Sequence, residues 1–342
     1  MIKRFSSFRQ SKMIGVFGFL LLMNLLAWVF VIRAGHQDSL LVSLGTLAYV
    51  FGLRHAVDAD HIAAIDNTTR KLMQTGKRSL TVGLYFSLGH SSIVFLLTLV
   101  VVLSVHSLQA TLPQLEHVGS VLGNTISGGF LYLMATLNFV IFLQMFRGRH
   151  EEVSLDGLLA KRGLFNRLFR RVFRLIEHSW QMYFVGLLFG LGFETASEVT
   201  LLGVSSSASA HGTPMAEVLL LPLLFAAGMS LIDTLDGVFM TYAYGWAFQN
   251  PVRKLSYNLW VTGVSVLLAF GIGSLEWLQV FGHLSQQNGG LWSWLDGVDF
   301  GTLGYGMIAL LSLIWGGATV WAFLRRGHNG TPVSIDFGDK EV

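Results

Sequence analysis

Long apolar segments alternate with short polar connections along the whole chain. Crossing a bilayer as a helix takes about 20 consecutive apolar residues. Eight segments satisfy this length, near 14–33, 40–66, 80–104, 118–146, 180–204, 215–248, 256–282 and 301–324. The pattern predicts an all-α polytopic membrane protein of about eight transmembrane helices, with a single transmembrane domain over 1–326. The polar residues 327–342 are expected to form a disordered cytoplasmic tail.

Basic residues fall on one side of this arrangement. The N-terminus, the connections after the second, fourth and sixth segments, and the C-terminus hold all but two of the 23 Lys and Arg residues. The alternate connections 105–117, 205–214 and 283–300 hold none. Because basic loops stay in the cytoplasm, both termini are predicted to be cytoplasmic. The stretch 147–179 is then a basic cytoplasmic loop.

Composition supports a membrane protein and narrows its chemistry. Only 13% of residues are charged and 52% are hydrophobic, whereas soluble domains carry about 25% charged residues. The chain has no Cys, so disulfides and thiolate metal ligands are excluded. A phosphate-binding GxxxxGK[ST] loop is also absent from the sequence. Membrane lipid is an expected partner, and nucleic acid is not.

Ionisable residues inside the predicted helices are the candidates for function, because such groups are costly in a bilayer. The acids are Asp58, Asp60, Glu194, Glu198, Asp233 and Asp236, and the histidines are His55, His61 and His90. Arg54 is the one basic residue expected among them. Either some acids are protonated or a cation is bound there. Three imidazoles favour a bound cation.

Spacing predicts that these side chains share a site. His55, Asp58 and His61 follow one another at three-residue intervals, which places them on one ridge of a helix. Asp60 points about 100° away from His61 on an ideal helix, so a kink there, or contact with a second neighbour, is needed to bring it into the group. The acids of the fifth and sixth segments each share a helix face. Supporting roles are expected for Arg54, Asp58, Ser91 and Thr195.

Ligand type predicts the class of metal. Imidazole suits Zn, Cu, Fe and Ni, and carboxylate suits Mg, Ca and Mn. A site of both, without sulfur, indicates a divalent first-row transition-metal ion. Imidazole binds a metal only when neutral, so metal affinity should fall as the pH decreases.

Several of these residues also have simpler interpretations. Asp58 can neutralise Arg54, which lies four residues earlier on the same helix. His90 can form a hydrogen bond between helices. Glu194 and Glu198 can relay protons without binding a metal.

A weak internal repeat accompanies the motifs. FGLRHAVDAD at 51–60 resembles FGLGFETASE at 189–198, and a similarly spaced Gly follows each stretch, Gly89 and Gly228. The second and fifth helices cross the membrane in opposite directions in the eight-helix arrangement. The segments therefore suggest an inverted repeat of helices 2–3 and 5–6, with the substrate site at the interface of the repeats.

Four motifs resemble those of the nickel/cobalt transporter family (NiCoT). They are RHAVDADHI at 54–62, FSLGHSS at 86–92, LGFETASE at 191–198 and GMSLIDTLDG at 228–237. They occur in the order in which the family has them, and the resemblance covers essentially the whole chain.

This resemblance implies a secondary permease, not an enzyme, that takes up Ni²⁺ and/or Co²⁺ with high affinity across a bacterial cytoplasmic membrane. The metal is its transported substrate, and no permanently bound cofactor is implied. His55, Asp60 and His61 correspond to the helix-2 residues expected to contact the metal. Glu194 replaces the Asp usual in the family's helix-5 motif, and Ser197 replaces Thr. This departure bears on the preference between nickel and cobalt.

The same residues are also consistent with other functions. A membrane-embedded metal-dependent enzyme would use these ligands together with a catalytic water. An exporter of the same ions would differ only in coupling, which the sequence does not display. A proton channel would need the acids but not three imidazoles.

Overall fold

The computed structural model describes residues 2–36, 39–103, 112–147, 176–191, 196–210, 212–247, 251–285 and 289–327. Within these ranges the chain is helical and has no β-strand, which confirms the predicted all-α class. Most of the predicted basic loop 147–179 and nearly all of the predicted tail 327–342 lie outside the described residues.

Twelve α-helices make up the described part of the chain. They are α1 (Ile2–Ala34), α2 (Ser39–His55), α3 (Ala59–Gln74), α4 (Val82–Leu103), α5 (Leu112–Arg147), α6 (Met182–Phe189), α7 (Ala196–Ala210), α8 (Met215–Val218), α9 (Leu220–Ala247), α10 (Pro251–Leu284), α11 (Leu291–Asp296) and α12 (Phe300–Gly327).

Six of the described helices are long and apolar enough to cross a membrane, and α2 with α3 adds a seventh span if this bent pair is counted as one. Seven predicted segments therefore have a counterpart. The eighth, 180–204, contains the two shorter helices α6 and α7, and residues 192–195 between them lie outside the described ranges. The count of eight and the cytoplasmic position of the termini stay predictions.

The second predicted helix is broken in the middle. α2 ends at His55, α3 begins at Ala59, and the two axes differ by 52°. Asp58, at the N-cap of α3, has an extended backbone with φ −60° and ψ 143°. The backbone N–H groups of Val57 and Asp58 donate to carbonyls three residues earlier, at Arg54 and His55. The kink considered for Asp60 is thus confirmed, but the continuous ridge through Asp58 is wrong.

α3 lies at the centre of the bundle. It packs against α4, α5, α9, α10 and α12, and every residue from Ala59 to Met73 is buried. Arg70 and Lys71 are only 1% and 2% exposed, so their assignment to a cytoplasmic loop is corrected. A polar helix buried on all sides of a membrane protein is typical of a transport path.

α12 presses directly on the break between α2 and α3. A Cβ on Gly304 would lie 1.6 Å from the carbonyl oxygen of Val57. Only a residue without a side chain permits this approach. The contact packs α12 against the unwound residues between α2 and α3.

Glycines of the two repeat-like segments also mediate close helix contacts. A Cβ on Gly52 of α2 would lie 2.1 Å from the Phe225 oxygen of α9. One on Gly89 of α4 would lie 1.9 Å from the Tyr183 oxygen of α6. Each half of the proposed repeat therefore packs against the other. The inverted symmetry itself stays a prediction.

Candidate metal site

Three histidines from three helices meet beside the helix break. His55 ends α2, His61 lies in the first turn of α3, and His90 lies in α4. They are 2%, 0% and 2% exposed. One ring nitrogen of each lies within 4.8 Å of those of the other two. The three imidazoles predicted to share a site thus form one buried cluster.

The rings of His55 and His90 face each other through their Nε2 atoms. Nε2 of His55 lies 3.0 Å from Nε2 of His90. A metal–nitrogen bond of about 2.0–2.1 Å places two adjacent ligand nitrogens about 3 Å apart. The spacing fits two ligands of one metal ion.

Carboxylates orient two of the rings. Nδ1 of His55 lies 3.0 Å from Oδ2 of Asp58, and Nδ1 of His61 lies 3.4 Å from Oδ1 of Asp233. A carboxylate that accepts the Nδ1–H bond directs the Nε2 lone pair towards a metal. Nε2 of His61 is buried and makes no hydrogen bond within the described ranges. The geometry leaves this atom available to a ligand.

Glu198 of α7 reaches the same nitrogens. Its Oε1 lies 2.7 Å from Nε2 of His90 and 3.6 Å from Nε2 of His55. The residue is 2% exposed. Glu198 therefore places a carboxylate oxygen beside two of the three clustered imidazoles, and nitrogen and oxygen donors without sulfur suit a borderline first-row divalent ion.

Asp60 lies beside this cluster in the first turn of α3 and is 7% exposed. Its charge acts on His55, His61 and His90 alike. An anionic side chain there offsets part of the charge of a divalent ion even where it does not bind it directly.

The two acids of α9 have different surroundings. Asp233 is 0% exposed and contacts His61. Asp236, one turn further along α9, has Asp66 and Asp233 as its charged neighbours and no contact with the three histidines. The structure thus brings Asp233 into the cluster and leaves Asp236 next to it along the helix.

The remaining predicted residues lie at the edge of the cluster or outside the described part of the chain. Ser91 is buried and adjoins His90 in sequence. Arg54 forms an ion pair with Asp299, whereas the side chain of Asp58 bonds His55. Asp58 therefore bonds to His55 as well as lying near Arg54. Glu194 and Thr195 fall among the residues that are not described.

A second buried polar network was missed at the sequence level. Arg70 donates to Asp66 over 3.1 Å and also contacts Tyr244 of α9 and Ser265 of α10, and Tyr244 donates to Asp66. The i, i+4 spacing of Asp66 and Arg70 is the one feature of the sequence that indicates this ion pair. Its burial depends on contacts with α9 and α10, which the spacing does not reveal.

Glu276 of α10 is another buried acid, and the interfacial position that the sequence predicts for it is wrong. It is 0% exposed and accepts a hydrogen bond of 2.7 Å from Ser127 of α5. Asp60 is the charged residue that acts on it most strongly. Its position near the end of an apolar segment gave no indication of this burial.

The chain matches a known protein family over most of its length. The family model NicO, described as high-affinity nickel-transport protein, matches residues 41–321. The chain belongs to this family. The matched range includes His55, His61 and His90.

Curated relatives of this NicO family member extend over most of its length. The nickel transporter NixA of Staphylococcus aureus is 44% identical over 316 residues, covering 90% of this chain and 94% of that protein. The nickel transporter NicT of Mycobacterium tuberculosis is 46% identical over 303 residues, covering 85% and 82%. The cobalt transport protein NhlF of Rhodococcus rhodochrous is 41% identical over 304 residues, covering 84% and 85%. No solved structure matches the chain.

Proposed function

We propose that this protein is a secondary permease that takes up Ni²⁺ and/or Co²⁺ across the bacterial cytoplasmic membrane. The observation that carries the proposal is the buried convergence of His55, His61 and His90 with Glu198 inside a bundle of membrane-spanning helices. Relatives at 41–46% identity are named as nickel or cobalt transporters.

The site is suited to an ion that has lost most of its water. His55, His61 and His90 supply neutral nitrogen ligands, and Glu198 supplies an anionic oxygen. Asp58 and Asp233 hold two of the rings from behind. Direct contact of Asp60 with the metal is part of the proposal, supported by its burial and by its charge acting on all three rings.

The acids further along the helices mark the route in this proposal. Asp236 is the next carboxylate of α9 after Asp233, and it adjoins Asp66 of α3. An ion leaving the histidines along α3 meets these carboxylates before the helix ends at Gln74. Glu194 is assigned to the same path from the sequence motif of the fifth segment.

Accumulation of radioactive nickel and cobalt in cells expressing the chain tests the proposal. We expect uptake at submicromolar metal that is lost in His55→Ala. His283→Ala is the matched control, because this histidine pairs with Asp296 near the end of α10, remote from the cluster in sequence and contacts.

Other outcomes would select the alternatives. Increased nickel tolerance without accumulation would indicate an exporter. Metal retained by the purified protein, without any change in cellular accumulation or tolerance, would favour a membrane-embedded metal-dependent enzyme. The ratio of nickel to cobalt uptake measures the selectivity that the Glu194 departure leaves open.

A further inference from the structure

An ion pair at the end of the bundle lies next to the histidine cluster. Arg54, one residue before His55, contacts Asp299, the residue immediately before α12. Their side chains are 34% and 49% exposed, and the membrane-spanning part of α12 begins at Phe300. The pair therefore lies at the partly exposed end of the bundle where α12 begins.

Asp299 has two separate contacts, one through each oxygen. Oδ1 binds the Arg54 guanidinium, and Oδ2 accepts hydrogen bonds from the backbone N–H and the hydroxyl of Thr302, over 3.1 and 2.7 Å. The Thr302 hydroxyl, followed by smaller effects that include Arg54, holds the pKa of Asp299 below its ordinary value. The carboxylate is thus anionic at neutral pH and remains available to Arg54.

Arg54 also lies close to Asp58, the carboxylate that orients His55. A Cβ on Gly301 would lie 3.2 Å from both Nη2 of Arg54 and Oδ1 of Asp58. These two atoms therefore border the same small space. Oδ1 of Asp58 is buried and has no hydrogen-bond partner in the described ranges, while Oδ2 holds His55.

Arginine and carboxylate groups favour paired, two-bond contacts. A guanidinium released from Asp299 would turn to Asp58, four residues along the chain. Asp58 would then accept bonds from Arg54 in place of the Nδ1–H of His55. The ring would lose the contact that directs its Nε2 to the metal.

We propose that Asp299 is a positioning residue of the metal site. By binding Arg54 at the boundary of the bundle, it keeps the guanidinium off Asp58, so that Asp58 continues to hold His55. This inference rests on the proposed function, since it requires that His55 binds the metal. It assigns a role to a residue outside the four sequence motifs.

Asp299→Asn distinguishes the two roles of Asp299, because it removes the ion pair with Arg54 and keeps the cap of α12. Asn caps helices about as well as Asp, so the bonds from Thr302 are retained and only the charge is lost. We expect the Ni²⁺ dissociation constant of the purified full-length protein, measured by calorimetry, to rise about tenfold, the lower end of the range for residues behind metal ligands. Stoichiometry and thermal unfolding should not change. Asp296→Asn, which removes a nearby exposed acid paired with His283, should bind as the wild type does.

The same substitution in an Arg54→Gln background decides the mechanism. The Arg54→Gln variant has no guanidinium that could displace His55 from Asp58. Asp299→Asn should therefore cause no further loss of Ni²⁺ affinity in this background. An equal loss in both backgrounds would show that the charge of Asp299 acts on the metal independently of Arg54, and would overturn the inference. Wild-type affinity in Asp299→Asn, or no Ni²⁺ binding in Arg54→Gln alone, would overturn it as well. Absence of Ni²⁺ binding by the wild type would instead refute the proposed function.

Discussion

Nδ1 of His61 lies 3.4 Å from Oδ1 of Asp233, although the two residues are 172 positions apart. The contact joins the polar central helix α3 to α9. It also turns Nε2 of His61 towards the other two histidines, since a ring held at one nitrogen presents the other. Asp233 thereby links helix packing to the geometry of the proposed ligands.

Replacing Asp233 with Asn should weaken Ni²⁺ binding without abolishing it. The amide can present its NH₂ group to Nδ1 and so favour the wrong tautomer of His61. Residues behind metal ligands typically contribute about 10–100-fold to affinity, and a loss in this range is expected in calorimetry. Ser230→Ala, one turn earlier on α9, is the control. Unchanged affinity in Asp233→Asn would argue against a ligand role for His61.

Asp236→Asn should separate binding from transport. Asp236 has only other acids as charged neighbours and does not contact the histidines. We expect its replacement to reduce the initial rate of nickel uptake several-fold, while the affinity of the purified protein changes much less than in Asp233→Asn. A large loss of affinity would instead place Asp236 among the ligands.

His55 and His90 should behave as one unit. Their Nε2 atoms are 3.0 Å apart, and two ligands of the same ion give strongly coupled effects. Each single Ala variant should lose at least about tenfold in Ni²⁺ affinity. The double variant should lose less than the sum of the two free-energy changes. Additive losses would indicate two independent sites.

Gly304→Ala should disturb the break between α2 and α3. The new methyl group would overlap the Val57 carbonyl oxygen, and overpacking of this kind costs about 1–3 kcal/mol or more. Thermal unfolding in detergent should shift to lower temperature, and nickel uptake should fall. Gly306→Ala is the matched control, because a Cβ there meets no atom within 4 Å. Equal behaviour of the two variants would mean that α12 does not support the break.

Arg70→Met should be among the most destabilising single changes in the bundle. It leaves the buried Asp66 carboxylate without its cation, which typically costs about 3–5 kcal/mol. The double variant Asp66→Asn/Arg70→Met removes both charges and should recover part of the loss in unfolding experiments. Lys77→Met, at an exposed position with one contact to the Glu177 carbonyl, is the control. A double variant as unstable as the single one would contradict a charge-based explanation.

Hydropathy was sufficient to predict the all-α class, and residue type was sufficient to select the three histidines as candidates. Seven of the eight predicted segments match helices of spanning length or the bent pair. His55, His61 and His90 were identifiable because imidazoles are rare inside apolar segments, but their approach depends on the break between α2 and α3, which spacing on an unbroken helix does not predict. Which acids approach the histidines depends on helix packing. Asp233 and Asp236 share a face of α9, yet Asp233 contacts His61 and Asp236 adjoins Asp66.

The remaining features depend on contacts between distant parts of the chain. Arg70 and Lys71 follow an apolar stretch and resemble the start of a basic loop, yet both are buried, and Arg70 contacts Tyr244 of α9 and Ser265 of α10. The pairing of Arg54 with Asp299 joins residues 245 positions apart. No local pattern indicates either contact, because each is formed only when the helices assemble.

The burial of α3 has a consequence for biosynthesis. α3 meets the criteria for a spanning segment only together with α2, and its Asp66–Arg70 pair is covered by Tyr244 and Ser265. A nascent chain that has emerged only as far as α5 therefore carries this charged pair into the translocon without its eventual neighbours. The central helix can reach its final environment only after residues up to about Ser265 have been synthesised.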